Sequence, residues 1–226
     1  MKPQNTLVPV LAGLLVCTLT SCLTPHKLNK WVAAHYTDGV PAPPKTKNDR
    51  ITVTSKFTDM SSHVSEADKN WSHIVPLIFY WHFDYKNTCT LNPEIPVTSF
   101  KNTINSYGGR LRQKLNGGSL ELSIDEMPNV FAVDDKGFVI WVIYAFGVDY
   151  ISVQPQIRDL TVSYRLLNAN NEEVKKGSVT IKDINTQINL KMFHSTKKMT
   201  WDYLEQYDAN ITSMSKRFVD RLAGEL

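Results

Sequence analysis

Residues 160–181 read LTVSYRLLNANNEEVKKGSVTI, and residues 201–222 read WDYLEQYDANITSMSKRFVDRL. In the first stretch Leu160, Val162, Tyr164 and Leu166 alternate with Thr161, Ser163 and Arg165. Asn168-Ala169-Asn170-Asn171 then turns the chain, and 174–181 returns as a hairpin partner. A period of two means that one face of the hairpin meets a core and the other meets water. In the second stretch Leu204, Tyr207, Ile211, Met214, Phe218 and Leu222 recur at spacings of three and four, the stripe of an amphipathic helix. Asp202 in its first turn and Arg217 and Arg221 near its end complement the helix dipole. The pair predicts a sheet with a helix lying on one face.

Working toward the N-terminus, Phe100, Ile104, Tyr107, Leu111 and Leu115 form a second apolar stripe, interrupted by Gly108-Gly109 and ended by Asn116-Gly117-Gly118. Thr98 or Ser99 is placed to cap that helix. Strands are expected at 51–56, 73–87, 120–125, 130–133 and 138–153, with a tight turn at Asp134-Asp135-Lys136-Gly137. Residues 57–70 read as a polar loop, and 182–199 carry no clear period. The expected fold is therefore α+β, an antiparallel-rich sheet with two amphipathic helices packed on one face.

The first 22 residues have a different character. Lys2 precedes the uncharged, mostly apolar stretch 7–19, LVPVLAGLLVCTL, which is the length of a secretory signal and too short to span a bilayer. It ends in Leu19-Thr20-Ser21-Cys22. This sequence resembles the lipobox of bacterial lipoproteins. The resemblance implies that residues 1–21 are a cleaved signal peptide, that Cys22 carries diacylglycerol, and that its new amine takes a further acyl chain such as palmitate. Leu23 stands where an Asp would resemble an inner-membrane retention signal, and no acidic cluster follows. The expected location is the outer membrane, lipid-anchored and facing the periplasm, with the inner membrane and the cell surface left open. Residues 22–50, with Gly39, Pro41, Pro43 and Pro44, read as a lipidated tether, and 51–226 as a single domain.

Composition narrows the partners. The chain is 42% hydrophobic and 21% charged, with a formal net charge of +3, which suits a globular protein and gives no footprint for nucleic acid. Of the three cysteines, Cys17 leaves with the signal and Cys22 is acylated, so only Cys89 remains and no disulfide within the chain is expected.

No nucleophile elbow, zinc-helix motif or phosphate loop is present, and no cofactor or metal is implied. The nearest approach to chemistry is His82 and Asp84, two residues apart on one face of the aromatic stretch IVPLIFYWHFDY at 74–85, with His73 and Cys89 not far away. A carboxylate can orient an imidazole, which leaves an envelope hydrolase as a third reading. Glu121, Asp125 and Glu126 form a second acidic group, best explained by a solvated strand face. Aromatic residues at Tyr80, Trp81, Phe83, Tyr85, Trp141, Tyr144, Phe146 and Tyr150 are enough to line a lipid or peptide groove. Most of them are expected in the core. Tyr80 and Tyr150, near polar strand ends, are expected at the surface and, with His82 and Asp84, make the candidate binding surface.

The order of elements behind the lipobox, with the helix 100–115 after an early strand, the hairpin 160–181 and the closing helix, resembles the auxiliary lipoproteins of envelope ABC-type transport systems. It also resembles small outer-membrane assembly lipoproteins. The resemblance implies a non-catalytic module that binds an envelope protein partner, with a lipid or small apolar ligand as the alternative. Replacing Cys22 by Ser should abolish fatty-acid labelling of the protein in cells and leave the uncleaved chain. Unchanged labelling would remove the lipobox reading.

Overall fold

A computed structural model describes residues 23–36, 50–57, 62–70, 74–75, 79–141, 145–191 and 194–226. Cys22, His73 and Tyr144 lie outside the described residues. The helices are α1 (Pro25–His35), α2 (Glu94–Tyr107), α3 (Gly109–Lys114) and α4 (Thr196–Glu225). The strands are β1 (Ile51–Ser55), β2 (Val64–Asn70), β3 (Ile74–Val75), β4 (Phe79–Thr90), β5 (Ser119–Glu126), β6 (Val130–Trp141), β7 (Ala145–Pro155), β8 (Leu160–Leu167), β9 (Glu173–Ile181) and β10 (Ile188–Asn189). The class is α+β, and the ladders are antiparallel except that β1 runs parallel to β5.

In place of one expected sheet there are two. One is four-stranded in the order β1-β5-β8-β9. The other runs β10-β7-β6-β4-β2, with β3 also paired to β4. The long helix α4 serves both. Over its 30 residues it extends about 45 Å, at 1.5 Å per residue. Its N-terminal half buries Met199, Tyr203, Leu204 and Tyr207, and the Tyr203 ring lies 5.0 Å from that of Phe131 on β6. Its C-terminal half buries Met214, Phe218 and Leu222, and Arg221 Nη1 there donates to the carbonyl of Thr180 on β9. Where the chain passes from β5 to β6, the buried Tyr207 hydroxyl donates to the Pro128 carbonyl at 2.7 Å. The predicted hairpin is present as β8 and β9, with Leu160 opposite Ile181 and Val162 opposite Val179.

The second apolar stripe packs beside α4, with Phe100 5.4 Å from Phe218 between ring centres. It is two helices rather than one, starting at Glu94 and breaking at Gly108, where a Cβ would collide with the Ile104 carbonyl. The closing helix likewise begins five residues before its expected start at Trp201, at Thr196, because Ser195 caps it by accepting the Lys198 N–H at 3.2 Å.

The expected tether is folded over its first part. Residues 25–35 form α1, which buries Leu28 and Val32 completely. Thr24 caps it and Pro25 occupies its first turn, the favoured place for proline. Two hydrogen bonds dock it on α4, Trp201 Nε1 donating to the Trp31 carbonyl at 2.9 Å and the Tyr36 hydroxyl to Asp208 at 3.2 Å. The expected loop 57–70 also contains β2, an edge strand whose sequence VSEADKN has no apolar face and is held by backbone pairing to β4. Its charges are what an open edge carries.

Phe218→Ala, which removes a fully buried ring shared by α2 and α4, should cost about 3–5 kcal/mol. Tyr207→Phe should cost about 1–3 kcal/mol by leaving the buried Pro128 carbonyl unpaired. Urea unfolding measures both. A near-neutral Tyr207→Phe would show that the link between helix and inter-sheet turn is dispensable.

Candidate functional site

β4, β6 and β7 are longer than the layer of helices that covers them. Their inner ends form core: Cys89, Phe131, Val133 and Val153 are buried beneath α1 and α4. Their outer ends continue as an arm, joined on the β4 side by the two-residue β3. In register across it, Tyr80 lies opposite Ile140 and Ile140 opposite Phe146, His82 opposite Phe138 and Phe138 opposite Val148, and Asp84 opposite Lys136 and Lys136 opposite Tyr150. These residues share one face. The opposite face, continuous with the core side, carries Trp81, Phe83 and Tyr85 on β4, and Gly137 and Val139 on β6. The three aromatic rings step along the strand at 5.9 Å each. Gly137 sits beneath Phe83, where a Cβ would come within 2.5 Å of the ring. On the other face the Tyr80 and Phe138 rings lie 6.2 Å apart.

The expectation that most of these aromatics belong to the core fails at the arm. Trp81 is 46% exposed, Phe146 70% and Tyr150 72%, and Val148 beside them is also exposed. A period of two on both strand faces reads as a central strand only if both faces are covered, and here the helix layer ends before the strands do. Tyr150 is at the surface as expected, and Tyr80 is half-buried.

The structure gathers Tyr80, His82, Asp84 and Tyr150 on one face of the arm but not as a catalytic group. Asp84 forms an ion pair with Lys136, its carboxylate 3.4 Å from Nζ. Cys89, the remaining thiol, is buried, and burial pushes its pKa up to about 11, far from a reactive thiolate. Among the described residues no three His, Cys, Asp or Glu side chains converge as metal ligands. The acidic group on β5 is spread over separate partners. Glu121 accepts from Arg165 at 3.0 Å. Against burial, which acts to raise it, Lys56 and Ser163 hold the Asp125 carboxyl below its ordinary pKa.

Sequence reasoning missed the base of the arm. A cavity of about 250 Å³ lies between the N-terminal end of α1 and the aromatic face, lined by Leu23, Pro25, Ala67, Lys69, Tyr85 and Asp135 among others. Asp135 is half-buried, and its carboxyl faces that of Asp149 on β7. Burial first, then the hydrogen bond and the charge of Asp149, raise its pKa to about 7. A folded-state pKa above the unfolded one means that the native protein binds the proton more tightly. The resulting stability is complete below the ordinary carboxylate value and is lost as pH rises to about 7. The turn-like signature Asp134-Asp135-Lys136-Gly137 concealed this pair, because these residues are mid-strand in β6.

Comparison of the chain with protein-family models, with curated proteins and with solved structures finds no match. Asp135→Asn should raise the thermal midpoint at pH 8, leave it nearly unchanged at pH 4, and flatten the profile between. Parallel profiles for the two proteins would show that this carboxyl is not what titrates.

Proposed function

We propose that the chain is a membrane-anchored lipoprotein, attached through Cys22, that acts without catalysis as a partner-binding or assembly module in the bacterial envelope. The observation that carries this reading is the placement of the exposed apolar surface. Scattered surface hydrophobics are ordinary, but a contiguous patch marks a contact site. Here Phe146, Val148 and Tyr150 are exposed side by side on one face of the arm, and Trp81 is exposed on the other. That element lies at the end of the molecule where α1 begins, and Leu23 and Cys22 stand two and three residues before its first residue, Pro25. No helix among the described residues is long and apolar enough to cross a membrane. The expected setting is the periplasmic face of the outer membrane.

A second reading, a binder of a lipid or small apolar ligand, is favoured by the cavity beside Tyr85. Its volume, about 250 Å³, is close to the lower end of ligand sites, roughly 300 Å³.

Capture of the lipidated full-length protein from detergent-solubilised membranes, with Cys22→Ser as control, separates the two. A defined membrane-complex partner that depends on the anchor supports the first reading. Co-purifying lipid detected by mass spectrometry, with no protein partner, replaces it with the second.

A further inference from the structure

We infer that the β4–β6–β7 arm is itself a membrane-inserting element, which dips its outer end into the interfacial region of the same bilayer that holds the lipid on Cys22. The inference deepens the anchored reading by assigning the apolar surface one occupant, a phospholipid leaflet.

The distribution of side chains along the arm is the first argument. From Phe138 to Trp141 on β6 and from Ala145 to Val148 on β7 no residue is charged, and the same is true of β4 from Phe79 to Trp81. The sequence between β6 and β7, Val-Ile-Tyr at 142–144, and that between β3 and β4, Pro-Leu-Ile at 76–78, also carries no charge. Charge begins abruptly at one level across the strands, with Asp84, Lys136 and Asp149. His82 and Tyr150 border that level. An uncharged end above a polar collar, with Trp and Tyr near the boundary, is the pattern of a membrane interface.

The second argument is that both faces are apolar. Tyr80, Phe138 and Phe146 lie on one face and Trp81, Phe83 and Val139 on the other. A protein groove or a second sheet covers one face of a strand layer, whereas lipid surrounds an inserted element on all sides.

The third argument is direction. The N-terminal end of α1 lines the cavity with Tyr85 and Asp135, at the collar. Its C-terminal end reaches Tyr36, whose ring is 6.0 Å from His63, and His63 accepts the N–H of Asn92 just past the inner end of β4. α1 therefore runs from the collar toward the inner end of the sheet, and Leu23, which precedes it, lies at the collar on the arm's side. Acyl chains on Cys22 and the uncharged end of the arm are thereby presented at the same end of the molecule.

Depth follows from strand geometry. Three residues beyond Phe138 or Val148 at about 3.3 Å each give roughly 10 Å, the depth that interfacial elements reach. Going further would be costly, because among the described residues the outer edge of β7 has no partner strand beyond its short contact with β10, and open strand edges are costly in hydrocarbon.

The test uses lipidated full-length protein reconstituted into phosphatidylethanolamine–phosphatidylglycerol vesicles. Because Cys89 is buried, a polarity-sensitive thiol probe can be placed singly at Phe146→Cys in the arm or at Glu172→Cys in the turn between β8 and β9. At 146 the probe should shift to the blue on reconstitution and lose intensity when brominated lipid replaces ordinary lipid, and at 172 it should do neither. A probe at 146 as water-exposed as at 172, on protein that stays with the vesicles, overturns the inference and leaves the anchor standing. A blue shift at 146 without quenching by brominated lipid also overturns it, in favour of cover by protein. Quenching at 146 on protein shown by mass spectrometry to lack lipid at position 22, with Cys17 and Cys22 replaced by Ser so that the probe stays single, upholds insertion and removes the anchor. Failure to sediment with vesicles removes both.

Discussion

The fold depends on one helix being buried by two sheets at once. α4 lies under the second sheet with its N-terminal half and under the four-stranded sheet with its C-terminal half. The point of transfer is where the Tyr207 hydroxyl donates to the Pro128 carbonyl. That carbonyl belongs to the short passage between β5 and β6, which is buried and has left one sheet without yet joining the other. A buried carbonyl there has no ladder partner and must be satisfied by a side chain. Asn185 adds a second tie, donating to the Tyr203 hydroxyl at 3.1 Å, so the loop before β10 is fixed to the same helix.

From this constraint the arm follows. α1 and the N-terminal half of α4 together cover the inner ends of β4, β6 and β7, and they stop near Tyr85 and Asp135. The strands run on for several residues more. Where a sheet outlasts its helices, its core-side face emerges into the open with its period unchanged, which is why Trp81 and Phe83 continue the line of Asn87 and Cys89 without being buried. The Asp135–Asp149 pair stands at the boundary. A carboxyl half-covered by α1 and facing a second carboxyl is unfavourable for folding near neutral pH. Its place at the collar is one the core does not require.

Much of this was legible in the sequence where one period held over a whole element. The β8–β9 hairpin, the stripe of α4 and the α+β class follow directly from residues such as Val162, Val179 and Phe218. Three things did not follow, each for a physical reason. α1 has only Leu28 and Val32 fully buried, too few to stand out as a stripe, and the prolines at 41, 43 and 44 drew its sequence into a tether. β2 has no apolar face because it is an edge held by backbone bonds. The number of sheets was hidden because alternation along β5 and β6 looks the same whether the chain stays in one sheet or crosses to another. For the site, the sequence showed Tyr80, His82, Asp84 and Tyr150 on a common surface, but it gave no sign of Lys136 between Asp84 and Tyr150, a relation that exists only through the register of three strands.

The same alternation misled the reading of the aromatics, and that error is informative. The buried core closes without the arm: Trp81, Phe146, Val148 and Tyr150 are absent from it, while Cys89, Phe131, Val133 and Val153 on the same strands belong to it. Folding therefore does not account for the apolar character of the outer strand ends. It works against them, since exposed aromatic strands with an open edge invite pairing and aggregation. Phe146, at 70% exposed, would be better replaced by a polar residue if water were its surroundings. A surface that is unfavourable for the isolated molecule and unnecessary for its core is what the proposed contact with a leaflet would explain. The polar collar at Asp84, Lys136 and Asp149 marks how far along the strands that contact extends.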